Sequence, residues 1–197
     1  MVSAMSTLPR RDAVAALLKN RGEALVVTGL GSPSYDVHAA GDHDANYYLW
    51  GAMGGAALVG LGLAQAQPTK PVLVLTGDGE QLMAFGSLAT IAVAKPRNLT
   101  IVVIDNQHFG ETGMQQSHTG LGVNLAEVAQ VCHFAETGTL DSLEAVRDLA
   151  GRLAQPSNGP RLFVVKVAAD NPPRSLPSRD ATYIKNRFRA HLGLAPI

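Results

Sequence analysis

The sequence predicts an α/β protein built on a three-layer, doubly wound and mostly parallel sheet. Short apolar runs alternate with segments of helical character along most of the chain. The run Ile-Val-Val-Ile at 101–104 is apolar at every position, as is typical of a strand that helices cover on both faces. Strands and helices in this alternation build a parallel sheet between two helix layers.

Each element follows from a local pattern. Strands are expected where short runs are rich in Val, Leu and Ile, with one more polar strand near Phe134, and in chain order they are 24–28, 72–76, 99–104, 133–137 and 162–168. A polar loop follows the first strand. Helices are expected in the longer segments around the strands, at 11–21, 51–66, 82–94, 125–132, 142–154 and 183–192. Asn124 with Glu127, and Asp141 with Glu144, form capping boxes for two of them.

Composition and charge exclude several classes of protein. Lys plus Arg number 16 and Asp plus Glu number 16, so the formal net charge is zero and nothing predicts a nucleic-acid partner. Cys132 is the only cysteine, which excludes an internal disulfide and a cysteine-ligated metal centre. The weakly polar stretch 51–66 lacks the roughly 20 strongly apolar residues of a membrane span. We therefore expect no membrane partner and a cytoplasmic location.

The chain divides into a main domain, 1–170, and a C-terminal arm with a helix, 171–197. The arm begins with Asn171-Pro172-Pro173, and its prolines favour an extended backbone. Such an arm is expected to cover a neighbouring surface rather than to add a strand to its own sheet.

The most informative motif spans the second and third apolar strands. Gly77-Asp78-Gly79 follows strand 72–76, and after twenty-five further residues Asp105-Asn106 follows strand 99–104. Parallel strands joined by a crossover helix place their carboxyl ends side by side, in the crevice where open α/β sheets bind ligands. A carboxylate and an amide oxygen suit Mg²⁺, which in turn bridges proteins to phosphates. The glycines allow backbone N–H groups to approach a phosphate closely.

This spacing resembles the cofactor motif of the thiamine diphosphate-dependent enzymes, in which Gly-Asp-Gly is followed, after a second strand, by Asn. The resemblance implies the thiamine diphosphate-binding fold, with Asp78, Asn106 and the backbone carbonyl of His108 as ligands of Mg²⁺. The metal would hold the diphosphate of the cofactor. The family usually has Asn-Asn, and here Asp105 replaces the first of the two.

A second segment carries the same resemblance. Gly51-Ala52-Met53-Gly54 is similar to the family motif Gly-x-Met-Gly. The resemblance implies that the carbonyl of Gly51 contacts the aminopyrimidine of the cofactor and that Met53 is a wedge beneath the bend between its two rings. Methionine suits this role because it is large, apolar and able to fill irregular gaps.

Further cofactor contacts are expected at the ends of strands. They are Thr28 and Gly29 after the first strand, Gly77, Gly79 and Glu80 around Asp78, and Gly110 and Thr112 in the loop after His108. Glu80 stands where the family has a small residue, so its charge has to point away from the diphosphate or be paired.

The catalytic candidates are Glu111 and His108. Related decarboxylases use an acid shortly after the Asn ligand for proton transfer, and Glu111 lies near that place in the sequence. A surface acid is an equally good interpretation of Glu111. His108 and His118 could titrate near neutral pH and bind an anionic substrate, although a lone histidine is more often structural.

Within this superfamily the chain is most similar to the sulfopyruvate and phosphonopyruvate decarboxylases. The similarity rests on Gly86-Ser87-Leu88 and Glu111-Thr112-Gly113 besides the motifs above. It implies decarboxylation of a small 2-oxo acid. The chain has room for the diphosphate-binding (PP) domain alone, so a separate pyrimidine-binding (Pyr) subunit would supply the activating glutamate, in an α₂β₂ or larger hetero-oligomer. Alone, the chain is expected to be inactive.

Other functions stay open at this point. A thiamine diphosphate-dependent carboligase, or a subunit of a 2-oxoacid oxidoreductase, would use the same cofactor site. A non-catalytic cofactor-binding scaffold would bind the cofactor without turnover. A nucleotide-binding Rossmann domain is a weaker alternative, because Gly29-Leu30-Gly31 lacks the third glycine of that motif.

Overall fold

The computed structural model describes residues 6–197 and contains eight strands and eight helices. The strands are β1 (Leu25–Thr28), β2 (Asn46–Tyr48), β3 (Val72–Gly77), β4 (Leu99–Asp105), β5 (His108–Phe109), β6 (Gln115–Gln116), β7 (Glu136–Leu140) and β8 (Arg161–Lys166). The helices are α1 (Arg10–Leu18), α2 (Ser32–Ala39), α3 (Ala56–Ala66), α4 (Asp78–Met83), α5 (Ser87–Ala94), α6 (Leu125–Val131), α7 (Leu143–Ala150) and α8 (Ala181–His191).

Six strands form one parallel sheet in the order β2-β1-β3-β4-β8-β7. Side chains alternate between its two faces along each strand. In β4, Ile101 and Val103 join a core with α3, α5 and α6, whereas Val102 and Ile104 join a core with α1, α2 and α7. The sheet therefore lies between two helix layers, and the predicted three-layer α/β fold is confirmed.

Several boundaries differ from the sequence prediction. The polar loop after β1 contains α2 and the edge strand β2. The predicted helix 51–66 begins only at α3, because Gly51 (φ 76°) and Gly54 (φ 84°) hold the preceding residues in a turn. The predicted helix 82–94 is two helices, since the backbone leaves helical geometry at Ala84.

Two further differences concern the second half of the chain. Strand β7 begins three residues later than expected, after His133 takes a left-handed conformation (φ 66°). Asn124 caps α6 as expected, whereas the cap of α7 is Ser142 rather than Asp141, with its hydroxyl accepting from the amide of Ala145.

The C-terminal segment packs against its own chain. Helix α8 lies beside β2 and buries Ile184 and Phe188. Arg187 binds Asp42 through an ion pair of 2.6 Å and donates to the carbonyl of Asn46. The helix thus covers an edge strand that would otherwise be open to pairing. The division into 1–170 and 171–197 stays a prediction. Within residues 6–197, no helix is long and apolar enough to cross a membrane.

Candidate cofactor-binding site

The site lies at the carboxyl edge of the sheet, where the order of the strands reverses. Strand β1 has β2 on one side and β3 on the other, so the crevice between the ends of β1 and β3 is a topological switch point. In the parallel register Gly77 lies opposite Ile104. The residues that follow therefore lie side by side at this edge: Asp78 comes directly after β3, and Asp105-Asn106 stand at the end of β4.

A cleft opens at this edge and collects most of the residues predicted from the sequence. Ten of them line it: Met53, Gly77, Asp78, Gly79, Glu80, Asn106, His108, Gly110, Glu111 and Thr112. They come from the turn before α3, from the β3–α4 junction and from the segment after β4. Their roles as ligands remain predictions, but the tertiary structure brings them to one place.

Asp78 is the buried acid of the cleft, with 2% of its surface exposed. Its Oδ2 accepts a hydrogen bond from the hydroxyl of Ser117 and lies 3.2 Å from the hydroxyl of Thr119. Burial, and to a smaller extent the neighbouring Asp105 carboxylate, raise the pKa of Asp78 to about 6 against the opposing effect of those hydrogen bonds. The ionised form of Asp78 is therefore disfavoured in the metal-free protein, and a bound cation would stabilise it.

Asn106 and His108 form a tight turn beside Asp78. The Oδ1 of Asn106 accepts from the amide of His108 at 3.0 Å, and the Nδ1 of His108 lies 2.8 Å from the carbonyl of Asn106. Gln107 between them has a φ of 63°. A carboxylate, an amide oxygen and a backbone carbonyl make an all-oxygen donor set, so the residues present fit Mg²⁺.

Gly79 allows the loop after β4 to close on the Gly-Asp-Gly turn. A Cβ at Gly79 would lie 2.8 Å from the ring of Phe109, closer than packed atoms approach. Phe109 begins the loop that contains Gly110 and Thr112, and β5 and β6 pair around it. The glycine therefore serves packing as well as any approach of backbone N–H groups to phosphate.

Asp105 is fully buried behind the cleft and is paired with a lysine. The Nζ of Lys166 donates to Oδ2 of Asp105 at 2.5 Å, and Thr119 donates to its Oδ1 at 2.8 Å. Lys166 is the direct neighbour of Asp105 in the β4–β8 register. Asp105 stands where the family usually has asparagine. Its negative charge is neutralised by Lys166 on the neighbouring strand.

Thr28 and Gly29 do not line the cleft, and their contacts with the cofactor stay a prediction. The hydroxyl of Thr28 is buried and lies 2.6 Å from that of Ser34, which donates to the carbonyl of Gly29 at 2.7 Å. A Cβ at Gly29 would lie 1.4 Å from Oε2 of Glu80. Both residues form the wall behind the cleft because Glu80 occupies the space next to them.

Glu80 lines the cleft, but donors inside the protein hold its carboxylate. Thr76 donates to Oε2 at 2.9 Å, and the amides of Leu30, Gly54 and Ala56 face the group. Among the described residues Oε1 has no hydrogen bond of normal geometry. Burial raises the pKa of Glu80 despite these donors. Hydrogen-bond donors therefore hold the carboxylate, and no ion pair of Glu80 is found among the described residues.

Met53 and Gly51 lie in the turn before α3. Met53 is 60% exposed and borders the cleft, where an apolar side chain is free to contact a ligand. Gly51 is exposed but does not line the cleft. The wedge role of Met53 and the carbonyl role of Gly51 stay predictions.

The two catalytic candidates occupy the mouth of the cleft. Glu111 pairs with Arg174 of the C-terminal arm at 3.1 Å and lies near the ring of Tyr35. A Cβ at Gly31 would meet the Glu111 side chain at 2.9 Å. His108 is half-buried. His118 is exposed and lies edge-on to Phe109 with ring centroids 6.1 Å apart.

Sequence reasoning missed several residues of the site. Arg10 lines the cleft although it is only 3% exposed, and it binds Asp36 at 3.0 Å and Ser32 at 2.9 Å. It begins α1, far from every motif, so no local pattern marks it. Ser117 and Thr119 follow β6, and a polar pair two residues apart shortly after the loop was the only signal for them.

Comparison with known proteins agrees with this geometry. The family model described as "Thiamine pyrophosphate enzyme, C-terminal TPP binding domain" matches residues 31–163. Sulfopyruvate decarboxylase subunit beta of Methanocaldococcus jannaschii is 42% identical over 138 residues, which are 69% of this chain and 72% of that protein. Phosphonopyruvate decarboxylase of Streptomyces hygroscopicus is 42% identical over 147 residues, which are 73% of this chain but 35% of that protein.

A solved structure adds support for the fold. The X-ray structure of a protein from Mycobacterium smegmatis, described as a thiamin diphosphate-dependent enzyme, superposes with a TM-score of 0.71 at 19% identity. It covers 85% of this chain, and this chain covers 34% of it. The chain thus spans about a third of the length of that protein and of the phosphonopyruvate decarboxylase.

The relatives confirm the predicted resemblance to thiamine diphosphate-dependent decarboxylases. The family model and the two named decarboxylases all match the part of the chain that contains the Gly77-Asp78-Gly79 and Asp105-Asn106 motifs. The chain therefore belongs to the thiamine pyrophosphate enzymes, as their C-terminal cofactor-binding domain.

Proposed function

We propose that this chain is the cofactor-binding subunit of a thiamine diphosphate- and Mg²⁺-dependent decarboxylase of small 2-oxo acids, with sulfopyruvate or phosphonopyruvate as the substrate class. The observation that carries the proposal is the convergence of Asp78, Asn106 and His108 in one cleft at adjacent strand ends. When bound there, thiamine diphosphate supplies the nucleophilic carbon and accepts the electrons released with CO₂.

The residues of this chain bind and orient the cofactor in this proposal. Asp78, Asn106 and the backbone carbonyl of His108 would hold the metal, and the turns at Gly79 and Gly110 would bind the diphosphate. Met53 would support the rings of the cofactor from the rim of the cleft and so help to orient them.

Two arginines lie at the cleft. Arg10 is a buried cation on the wall of the cleft, and Arg174 brings a second cation to its mouth. Both guanidinium groups are paired, with Asp36 and with Glu111. In this proposal they contact the anionic groups of the 2-oxo acid. Glu111 and His108 remain the candidates for proton transfer.

An apolar surface beside the cleft supports a partner subunit. Met53, Met83 and Phe85 are 60%, 62% and 43% exposed around its rim. The adjoining helices α3 and α5 contain no charged residue, and they expose Leu58 (44%) and Val93 (84%). Large exposed apolar patches of this kind are typical of interaction sites.

We infer that a pyrimidine-binding subunit covers this surface and supplies the glutamate that activates the cofactor. The M. jannaschii relative is named as a beta subunit, and the part aligned with this chain is only 35% of the phosphonopyruvate decarboxylase. We propose that the assembly is an α₂β₂ or larger hetero-oligomer. The cytoplasmic location stays a prediction.

Calorimetric titration tests the cofactor site. The chain with its co-purified partner is expected to bind thiamine diphosphate in the presence of Mg²⁺. Asp78→Ala and Asn106→Ala should lose this binding with little change in fold, whereas Glu144→Ala, an exposed acid on α7, should bind normally. Normal affinity in Asp78→Ala would contradict the site.

Assays of CO₂ release test the reaction. Decarboxylation of sulfopyruvate or phosphonopyruvate without an electron acceptor would support the proposal, and a requirement for an acceptor would favour a 2-oxoacid oxidoreductase. Formation of a carbon–carbon bond with a second 2-oxo acid would favour a carboligase. Cofactor binding without turnover, with the partner present, would indicate a scaffold.

A further inference from the structure

A hydrogen-bonded network behind the cleft connects Asp78 to a residue on the far side of β4. Ser117 donates to Oδ2 of Asp78, and Thr119 lies 3.2 Å from that oxygen and 2.8 Å from Oδ1 of Asp105. Lys166 donates to the other oxygen of Asp105 at 2.5 Å. Two carboxylates, two hydroxyls and one ammonium group thus form one connected set.

The network is buried and its hydrogen bonds are nearly all used. Ser117 and Asp105 are fully buried, and Thr119 is 6% exposed. Each hydroxyl has a single proton to donate, so Ser117 donates to Asp78 while Thr119 donates to its nearer acceptor, Oδ1 of Asp105. The oxygen of Thr119 also contacts Oδ2 of Asp78 at 3.2 Å and the hydroxyl of Ser117 at 2.9 Å. The amide of Gln107 also donates to Oδ1 of Asp105, at 2.9 Å. Each oxygen of Asp105 therefore has a donor, and its position is well defined.

The two oxygens of Asp78 are distinguished by this network. Oδ2 accepts from Ser117 and contacts the hydroxyl of Thr119, two residues that do not line the cleft, while the side chain of Asp78 does line it. A carboxylate held by one oxygen presents the other in a fixed direction. Partners of this kind orient metal ligands, and their loss typically lowers metal affinity by about 10- to 100-fold.

We propose that Ser117, Thr119 and the Asp105–Lys166 pair are positioning residues that orient Asp78 toward Mg²⁺. The inference rests on the proposed function, because it assumes that Asp78 binds the metal. Lys166 makes an aspartate acceptable at position 105: without the lysine charge, the buried carboxylate of Asp105 is no longer neutralised and repels the carboxylate of Asp78. None of the four touches substrate in this role.

The experiment measures Mg²⁺ affinity by calorimetry on the chain co-purified with its partner, at saturating thiamine diphosphate. Ser117→Ala and Thr119→Val should each weaken Mg²⁺ binding by about tenfold or more. Thr119→Ser, which keeps the hydroxyl, should retain most of the affinity. Excess Mg²⁺ should restore cofactor binding in each variant, because the groups that hold the cofactor itself are unchanged.

A matched control separates orientation of Asp78 from simple loss of stability. Thr100 lies at the other end of β4, is 2% exposed and accepts a hydrogen bond from Arg161 at 2.9 Å. Thr100→Val should lower the unfolding temperature without changing Mg²⁺ affinity. If Thr119→Val behaves in the same way, the residue serves only stability and the proposal is wrong.

The lysine is tested by a double variant. Lys166→Met should weaken Mg²⁺ binding by about tenfold. Adding Asp105→Asn, which removes the uncompensated charge and keeps an acceptor for Thr119, should return the affinity toward that of the wild type. If the double variant binds Mg²⁺ no better than Lys166→Met does, the proposed role of Lys166 in neutralising Asp105 is wrong. If the wild type shows no Mg²⁺-dependent binding, the proposed function fails first, and this inference fails with it.

Discussion

Replacing Asp78 with asparagine should make the metal-free protein more stable, although it removes the proposed metal ligand. The carboxylate is 2% exposed, and its pKa is raised from 3.8 to about 6, mainly by burial. The ionised form is therefore disfavoured in the folded state. Asparagine keeps the shape of the side chain and an acceptor for Ser117 and Thr119, but it carries no charge.

The magnitude follows from the two pKa values. The folded protein binds the Asp78 proton more tightly than the unfolded chain, so its stability falls as the pH rises from about 4 to about 6. A shift of roughly two pH units, at 1.36 kcal/mol per unit, corresponds to about 3 kcal/mol. Above pH 6 this whole cost is present in the wild type and absent in Asp78→Asn.

Urea unfolding in the presence of a chelator measures the effect. We expect Asp78→Asn to exceed the wild type in free energy of unfolding by up to about 3 kcal/mol at pH 7.5, with the difference vanishing near pH 4. Asp148→Asn, at an exposed position on α7, should show no such change. Mg²⁺ with cofactor should then stabilise the wild type alone, because a ligand of the folded state raises stability by mass action.

Equal stability of Asp78→Asn and the wild type at pH 7.5 would refute this reasoning. A variant that is less stable at every pH would do the same, since the hydrogen bonds of the carboxylate would then outweigh its burial.

Three other changes have clear expected outcomes. Met53→Ala should keep cofactor binding but slow deuterium exchange at the reactive carbon of bound thiamine diphosphate, as followed by NMR; unchanged exchange would exclude the wedge role. Gly29→Ala should destabilise the fold by about 2 kcal/mol or more in thermal unfolding, because its Cβ would overlap the Glu80 carboxylate, and Glu80→Ala in the same chain should recover part of the loss. Arg187→Ala should lower the unfolding temperature and expose α8 to limited proteolysis, since the ion pair with Asp42 is lost; resistance equal to that of the wild type would show that apolar packing alone holds the helix.

Much of the fold was accessible from the sequence because its patterns are local. The run of residues 101–104 predicted a doubly buried strand, and β4 has that environment, with Ile101 in one core and Val102 in the other. The positions of Gly77-Asp78-Gly79 and Asn106 after two such strands predicted that these residues would meet. Parallel strands with a crossover helix have few other arrangements.

The sequence analysis missed features that depend on tertiary contacts and that no local pattern indicates. Helix α2 has almost no apolar periodicity, and it is stabilised by the ion pairs of Asp36 with Arg10 and Arg11 from another helix. The space that Gly29 leaves for the carboxylate of Glu80 was also not predicted. Neither relationship is visible in sequence spacing.

The sequence by itself determined the layered α/β class, the pairing of two motifs at the edge of a sheet, and the cofactor family to which they belong. These depend on residues close to one another along the chain or on regular strand geometry. Only the tertiary structure decided that Lys166 neutralises Asp105, that Ser117 and Thr119 hold Asp78, and that Arg10 borders the cleft. Such contacts join residues far apart in sequence, and the burial that gives them their strength exists only once the layers have packed.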